Sequence, residues 1–379
     1  MKIAFLILCA LAASGCASRR PAAPAPAAFP LARAPSEGFA IARPGRLLRF
    51  PRDHAAHPEY ATEWWYYSGH LRDASGRWYG YQLTFFRVGV TPPAVKRASA
   101  WAVRNLYMAH LAVTDETAGQ FQYAERLLRG SLGESGARTD TYSVHVADWS
   151  AFLAGRDHVL KAAQDGISLD LRATPLKPPA AHGAAGFSRK GAGTGRASYY
   201  YSYTRMATRG VLTLDGRRRK VAGDSWFDHE FGSNQLAPGQ VGWDWFSLQL
   251  DDGTDVMLYL MRDAAGATDP NSSGSFVDPR GRTSHLRMRD FAVAVADHWR
   301  SPHSGGVYPS RWRVSIPSKG LEMEVEPTVA DQELSASRGA EITYWEGSVQ
   351  VKGRGNHGPI AGHGYVELTG YAGRMNEVF

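Results

Sequence analysis

From about Arg46 onward, apolar residues recur in short alternating runs and seldom at helical spacing. Trp65–Leu71 (WYYSGHL), Arg77–Phe86 (RWYGYQLTFF) and Leu106–Val113 (LYMAHLAV) are rich in aromatic and β-branched residues and are bounded by Gly, Asp, Pro or Thr. Such runs predict strands: alternation gives a pleated ribbon one apolar face, and turn residues end it. Tyr199–Arg205, Gly210–Leu214, Trp243–Leu250, Asp255–Met261, Arg311–Ile316 and Leu321–Val325 carry the same signature. Asp215-Gly216, set between apolar stretches, predicts a hairpin turn. Ser150–Gly155 is read as one short helix. Many strands with so little helix imply an all-β sandwich or barrel.

The pattern also repeats. EWWYYSGHLRDASGRWYGYQLTFFR, from Glu63, is echoed by GWDWFSLQLDDGTDVMLYLMR, from Gly242. Trp64 aligns with Trp243, Ser68 with Ser247, Leu71 with Leu250 and Gly76 with Gly253. Each copy is an aromatic strand, an acidic Gly turn and a second strand. A later echo joins Gly223–Asp228 (GDSWFD) to Gly362–Glu367 (GHGYVE). Two echoes in one order predict a duplication with its boundary near Gly232 to Gly239. The expected domains are residues 46–234 and 235–379.

The N-terminus changes the picture from a plain β protein to an exported one. Lys2 precedes an apolar stretch, Ile3–Ala13, too short to span a bilayer. Ala13-Ser14-Gly15-Cys16 then resembles the bacterial lipobox. That resemblance implies a signal peptide over residues 1–15 and lipidation of Cys16. The Pro- and Ala-rich stretch of residues 16–45 reads as an extended tether. Ala17 after the cysteine, in place of Asp, implies a periplasm-facing outer-membrane lipoprotein, attached to the membrane by its lipid. Cys9 leaves with the leader, so no disulfide framework, zinc cluster or thiol nucleophile is expected. The formal charge of +7 is mild for 379 residues and forms no basic stripe, so no nucleic-acid partner is expected. The run Arg217–Lys220 follows the Asp-Gly turn and reads as a solvated turn or a contact with anionic lipid.

Several chemistries lack their motifs. There is no G-x-S-x-G elbow, phosphate loop or dinucleotide fingerprint. The thirteen His residues include no H-E-x-x-H, and His54 and His57 read as part of a loop, so no metal and no cofactor are expected. The informative stretch is Ser225–Gly232, SWFDHEFG. On a strand, Trp226, Asp228 and Glu230 share one face, and Phe227, His229 and Phe231 the other. If the first face looks into an apolar cavity, burial raises a carboxyl's pKa and keeps it protonated, as alkene protonation requires. The bland reading is that Asp228 and Glu230 satisfy buried backbone or pair with an Arg. Likewise the aromatic stripes, Trp64 to Tyr67 and Tyr199 to Tyr203, serve either as core or as pocket lining.

ATEWWYYSGHL, GFSRKG with ASYYYSYTRM, VAGDSWFDHEFGS, GWDWFSLQLDDGTDVMLYLMR, ITYWEGSVQVKG and GHGYVELTGY together resemble the AttH-like or hydroxyneurosporene synthase (carotenoid 1,2-hydratase) family. The segments run from about Ala61 to Gly373. The resemblance implies two tandem lipocalin-like antiparallel β-barrels and a hydrophobic small-molecule ligand, isoprenoid or acyl. It implies Asp228 as proton donor to a carbon–carbon double bond, with Trp64, Trp65, Tyr67, Tyr201, Tyr203, Trp226 and Glu230 as the ligand-binding candidates. The sequence departs from the family enzyme where Trp226-Phe227 stand in place of Tyr-His. Two functions are expected: a hydratase-like or hydrolytic enzyme acting by acid catalysis, or a non-catalytic lipid carrier serving an envelope transport system, with a transporter as partner.

Overall fold

The computed structural model describes residues 37–99, 101–336 and 342–373. The expected leader, Cys16 and the first part of the expected tether lie outside them. The described residues fold almost wholly into strand, with three single-turn 3-10 helices at Arg52–His54, Met288–Asp290 and Pro317–Lys319. Two antiparallel sheets result. One has thirteen strands between Thr62 and Gly232, and the other ten between Gln240 and Leu368. The first curls into a nearly closed barrel and the second into a half-barrel, the tandem lipocalin-like architecture.

The two sheets are wired alike. In the first, the opening strand Thr62–Asp73 lies between Trp78–Gly89 and the closing strand Arg217–Gly232. In the second, the opening strand Gln240–Leu250 lies between Asp255–Asp263 and the closing strand Gly358–Leu368. The registers correspond as well: Tyr66 faces Asp228 in one sheet, and Trp245 faces Glu367 in the other. The Asp215-Gly216 turn forms as expected, with both residues at positive φ (50° and 71°), which suits the right-handed twist of a tight hairpin.

The helix expected at Ser150–Gly155 is absent. Trp149–Ala154 is a strand paired with Asp157–Gln164. Six residues cannot sustain a helix without tertiary support. Here tertiary packing goes the other way, since Trp149 and Ala151 alternate into the barrel core.

Alternation divides the side chains of each strand between two destinations. Trp65, Tyr67, Tyr201 and Phe227 pack inside the first barrel. Their neighbours Tyr66, Tyr200 and Trp226 point out of it and pack against Trp245, Tyr259 and Tyr344 of the second sheet. Phe246, Leu248, Trp312, Trp345 and Val366 fill the half-barrel. The junction between the sheets is thus a third apolar core, tied by buried polar bonds. Asp255 accepts from Lys177 (2.6 Å), Thr204 (2.8 Å) and Arg205 (2.7 Å), and Gln249 Nε2 donates to the Thr204 carbonyl at 2.7 Å.

Candidate functional site

That third core is incompletely filled. A cavity with about 1240 Å³ of atom-free space, its open mouth included, runs between the sheets. Trp64, Tyr66, Phe86, Tyr200, Trp243, Trp245, Tyr259 and Tyr344 supply aromatic walls. Asp228, Glu230, Glu346 and Glu367 supply four carboxyl groups.

The closing strand of the first sheet aims Asp228 and Glu230 here because every second side chain shares a face. Asp228 is buried and holds no ion pair among the described residues. Tyr200 Oη donates to its Oδ2 at 2.6 Å, and Trp226 Nε1 donates to its Oδ1 at 2.6 Å. Ser202 Oγ also donates to Oδ1 and lies 2.6 Å from His182 Nε2. Burial outweighs these three donors and pushes the Asp228 carboxyl up to about 7. Both of its protonation states are therefore populated near neutrality. Glu230 differs: Lys190 Nζ lies 2.9 Å from its Oε1 and Ser198 Oγ donates to the same atom at 2.5 Å.

The second sheet adds the corresponding group. Glu367 takes a hydrogen bond from Trp243 Nε1 at 2.9 Å and stands directly across the strand pair from Glu346. Burial, together with the charges of Asp228 and Glu230, raises Glu367 to about 7 despite the Trp243 bond. Burial and the neighbouring Glu367 raise Glu346 well above the usual carboxylate range. His110, on the first sheet, is pushed down to about 4 by burial and is a neutral wall of the cavity at pH 7.

The structure gathers Trp64, Trp226, Asp228 and Glu230 on the junction face. It separates Trp65, Tyr67, Tyr201 and Tyr203 from them. Those four belong to the interior of the first barrel, where Tyr67 bonds Tyr142 and His158, each at 2.7 Å. Tyr203 also lines a separate opening with His54 and His158. Tyr66 and Tyr200 belong to the aromatic stripes that the sequence offers as core or pocket lining, and the structure puts them in the lining; Trp243, Trp245, Tyr344, Glu346 and Glu367 were missed by sequence reasoning. The signal was present: the second echo aligns Glu367 with Asp228, and the first carries Tyr66 onto Trp245.

Behind the strand, a buried charge network holds the opposite face. Glu63 takes bonds from His57 Nδ1 and His229 Nε2, each 2.9 Å, and from Arg87 Nε at 3.1 Å. His57 Nε2 also reaches Asp53 at 3.1 Å. His57, Glu63 and His229 bring ligand-type atoms within 4.8 Å of one another, but Arg87 already supplies a positive charge at Glu63 and both imidazoles hydrogen-bond to it. The network anchors the segment that includes Asp53 and His57 to the closing strand.

Residues 41–371 match a family model described as AttH-like. The chain belongs to the AttH-like family. An AttH protein from Nitrosomonas europaea, known from a crystal structure at 2.00 Å resolution, is 33% identical, with 88% of this chain and 100% of that one covered and a TM-score of 0.79. Kievitone hydratase from Nectria haematococca shares the fold at 16% identity, with 91% and 99% coverage and a TM-score of 0.67. A protein named CghA does so at 16% identity, with 89% and 97% coverage and a TM-score of 0.51. No curated protein sequence matches the chain. The AttH-like fold thus places a carboxyl-rich aromatic cavity of this chain between its two sheets.

Proposed function

We propose that this AttH-like protein binds an elongated apolar ligand, isoprenoid or acyl, between its sheets and adds water across a carbon–carbon double bond, or removes it. The observation that carries this reading is Asp228: a buried carboxyl without an ion-pair partner, at an aromatic wall, pushed up to about 7. When Ser202 turns its hydroxyl toward His182, Asp228 Oδ1 keeps only the Trp226 bond and its second lone pair can carry a proton. The proton passes to the alkene carbon, the adjacent carbon becomes cationic beside electron-rich ring faces, and water adds to it, releasing a proton that restores the acid. Kinship of fold with a hydratase agrees with this reading.

The test is Asp228→Asn assayed with terminal dimethylallyl compounds by mass spectrometry for gain or loss of water. General acid catalysis is commonly worth about 10²–10⁴-fold, so turnover should fall by that much while ligand binding persists. Unchanged turnover would retire Asp228 as the acid.

A second reading, a non-catalytic carrier, is favoured by the three donors on Asp228, which suit an ionised structural carboxylate. Ligand binding with no turnover on any dimethylallyl compound would select it. For either role we propose export and anchoring through Cys16 in the outer membrane, facing the periplasm, where an envelope transporter is a candidate partner. Cys16→Ser should move the protein from the membrane to the soluble periplasmic fraction. Retention on membranes would refute the anchor.

A further inference from the structure

We propose that the Glu346–Glu367 pair receives a positively charged nitrogen of the ligand, an alkylammonium or quaternary ammonium group attached to its apolar body. This rests on the reading that the cavity takes an apolar ligand, and it names what such a ligand carries at one end.

The geometry is unusual for a protein interior. Glu346 and Glu367 are directly opposed in the antiparallel pair Ile342–Gly355 and Gly358–Leu368. Residues so placed send their side chains to one face, with Cβ atoms about 4.5–5.5 Å apart, and like charges there repel. Both line the cavity. No Lys, Arg or His among the described residues pairs with either one. Lys190 is committed to Glu230, and Arg196 donates to the Leu236 carbonyl at 2.6 Å. Glu346 Oε1 is buried and makes no hydrogen bond of normal geometry; the Tyr66 hydroxyl lies beside it and likewise lacks a well-formed bond. An acceptor without a donor inside a protein is costly, and a cation placed between the two carboxyls would satisfy it.

The surroundings are those in which ammonium groups settle. Trp245 stands opposite Glu367, Trp243 bonds it, and Tyr344 precedes Glu346 by two positions on the same face. Ring faces attract cations through their quadrupole, more strongly once water is excluded. The cavity holds an internal precedent: the Lys190 ammonium sits beside Glu230, 4.0 Å from the Tyr259 ring centre.

The empty pair retains protons at neutral pH because burial and mutual repulsion disfavour two charges. A bound cation favours the ionised pair. Binding therefore expels protons, and affinity rises with pH, by up to about tenfold per unit for each proton lost.

The experiment compares three probes of equal chain length below their micelle concentrations: decyltrimethylammonium, decanol and decanoate. Tryptophan fluorescence reports affinity, and calorimetry in buffers of different ionisation enthalpy counts the protons released. Decyltrimethylammonium should bind at least tenfold more tightly than decanol, release protons and gain affinity from pH 6 to 8, with decanoate weakest. Glu346→Gln and Glu367→Gln should each remove most of the ammonium preference over decanol, and a single cooperative thermal transition certifies the fold of each variant. Equal affinity for ammonium and alcohol, or a preference that survives both substitutions, overturns the cation site while leaving the apolar cavity intact. Absence of binding by all three probes overturns the apolar-ligand reading together with it.

Discussion

Asp228 is where physical chemistry at the residue scale is most exposed to test. A carboxyl that ionises near 3.8 in the unfolded chain and at about 7 in the fold keeps its proton only in the fold between those values. Unfolding in that window releases the proton, so the group's contribution to stability is full below about pH 4. It is lost as pH rises, by up to roughly 1.4 kcal/mol per unit, until it levels off above about 7. Asp228→Asn removes the dependence. Urea unfolding at pH 5 and pH 7.5 should show the variant gaining on the wild type by a few kcal/mol at the higher pH. A gap that does not change with pH would mean that Asp228 is ionised throughout.

At the scale of the element, the closing strands do two jobs because their alternation is strict. Phe227, His229 and Phe231 serve the barrel side, and Trp226, Asp228 and Glu230 the junction. In the second sheet the closing strand must also lie very close to its neighbour. A Cβ on Gly364 would stand 2.0 Å from the Ser247 carbonyl oxygen, an atom of the backbone that cannot swing aside. Gly364→Ala should therefore cost at least about 1–3 kcal/mol and lower the melting temperature, since overpacking here must move a strand. Wild-type stability in that variant would show that the two strands are less closely paired. Strand patterns were legible in the sequence because the β period is short and local. Ser150–Gly155 was not, because a six-residue run takes its conformation from the neighbour it pairs with.

For the whole molecule, the junction decides whether two sheets behave as one body. Asp255 on the second sheet is fully buried and takes Arg205 from the first sheet and Lys177 from the segment that follows its strand Ile167–Pro175. Removing its carboxylate strands two cations in the interface, and breaking a buried pair this way costs about 3–5 kcal/mol. Asp255→Ala should lower the melting temperature strongly and raise amide exchange in the strands flanking the cavity. A single transition at the wild-type temperature would mean that the sheets hold together through apolar contact alone. The sequence alone determined the strand character, the duplicated wiring and the common face of Trp226, Asp228 and Glu230, since period, turn chemistry and internal echo are written locally. It could not say which face of each strand is the inside: an aromatic residue reads the same whether it packs in a barrel or between two. Only the tertiary structure decided that Trp65, Tyr67, Tyr201 and Tyr203 fill the first barrel. It alone brought Asp228 into one cavity with Glu346 and Glu367, more than a hundred residues away, because sheet-on-sheet packing joins groups that no local pattern connects.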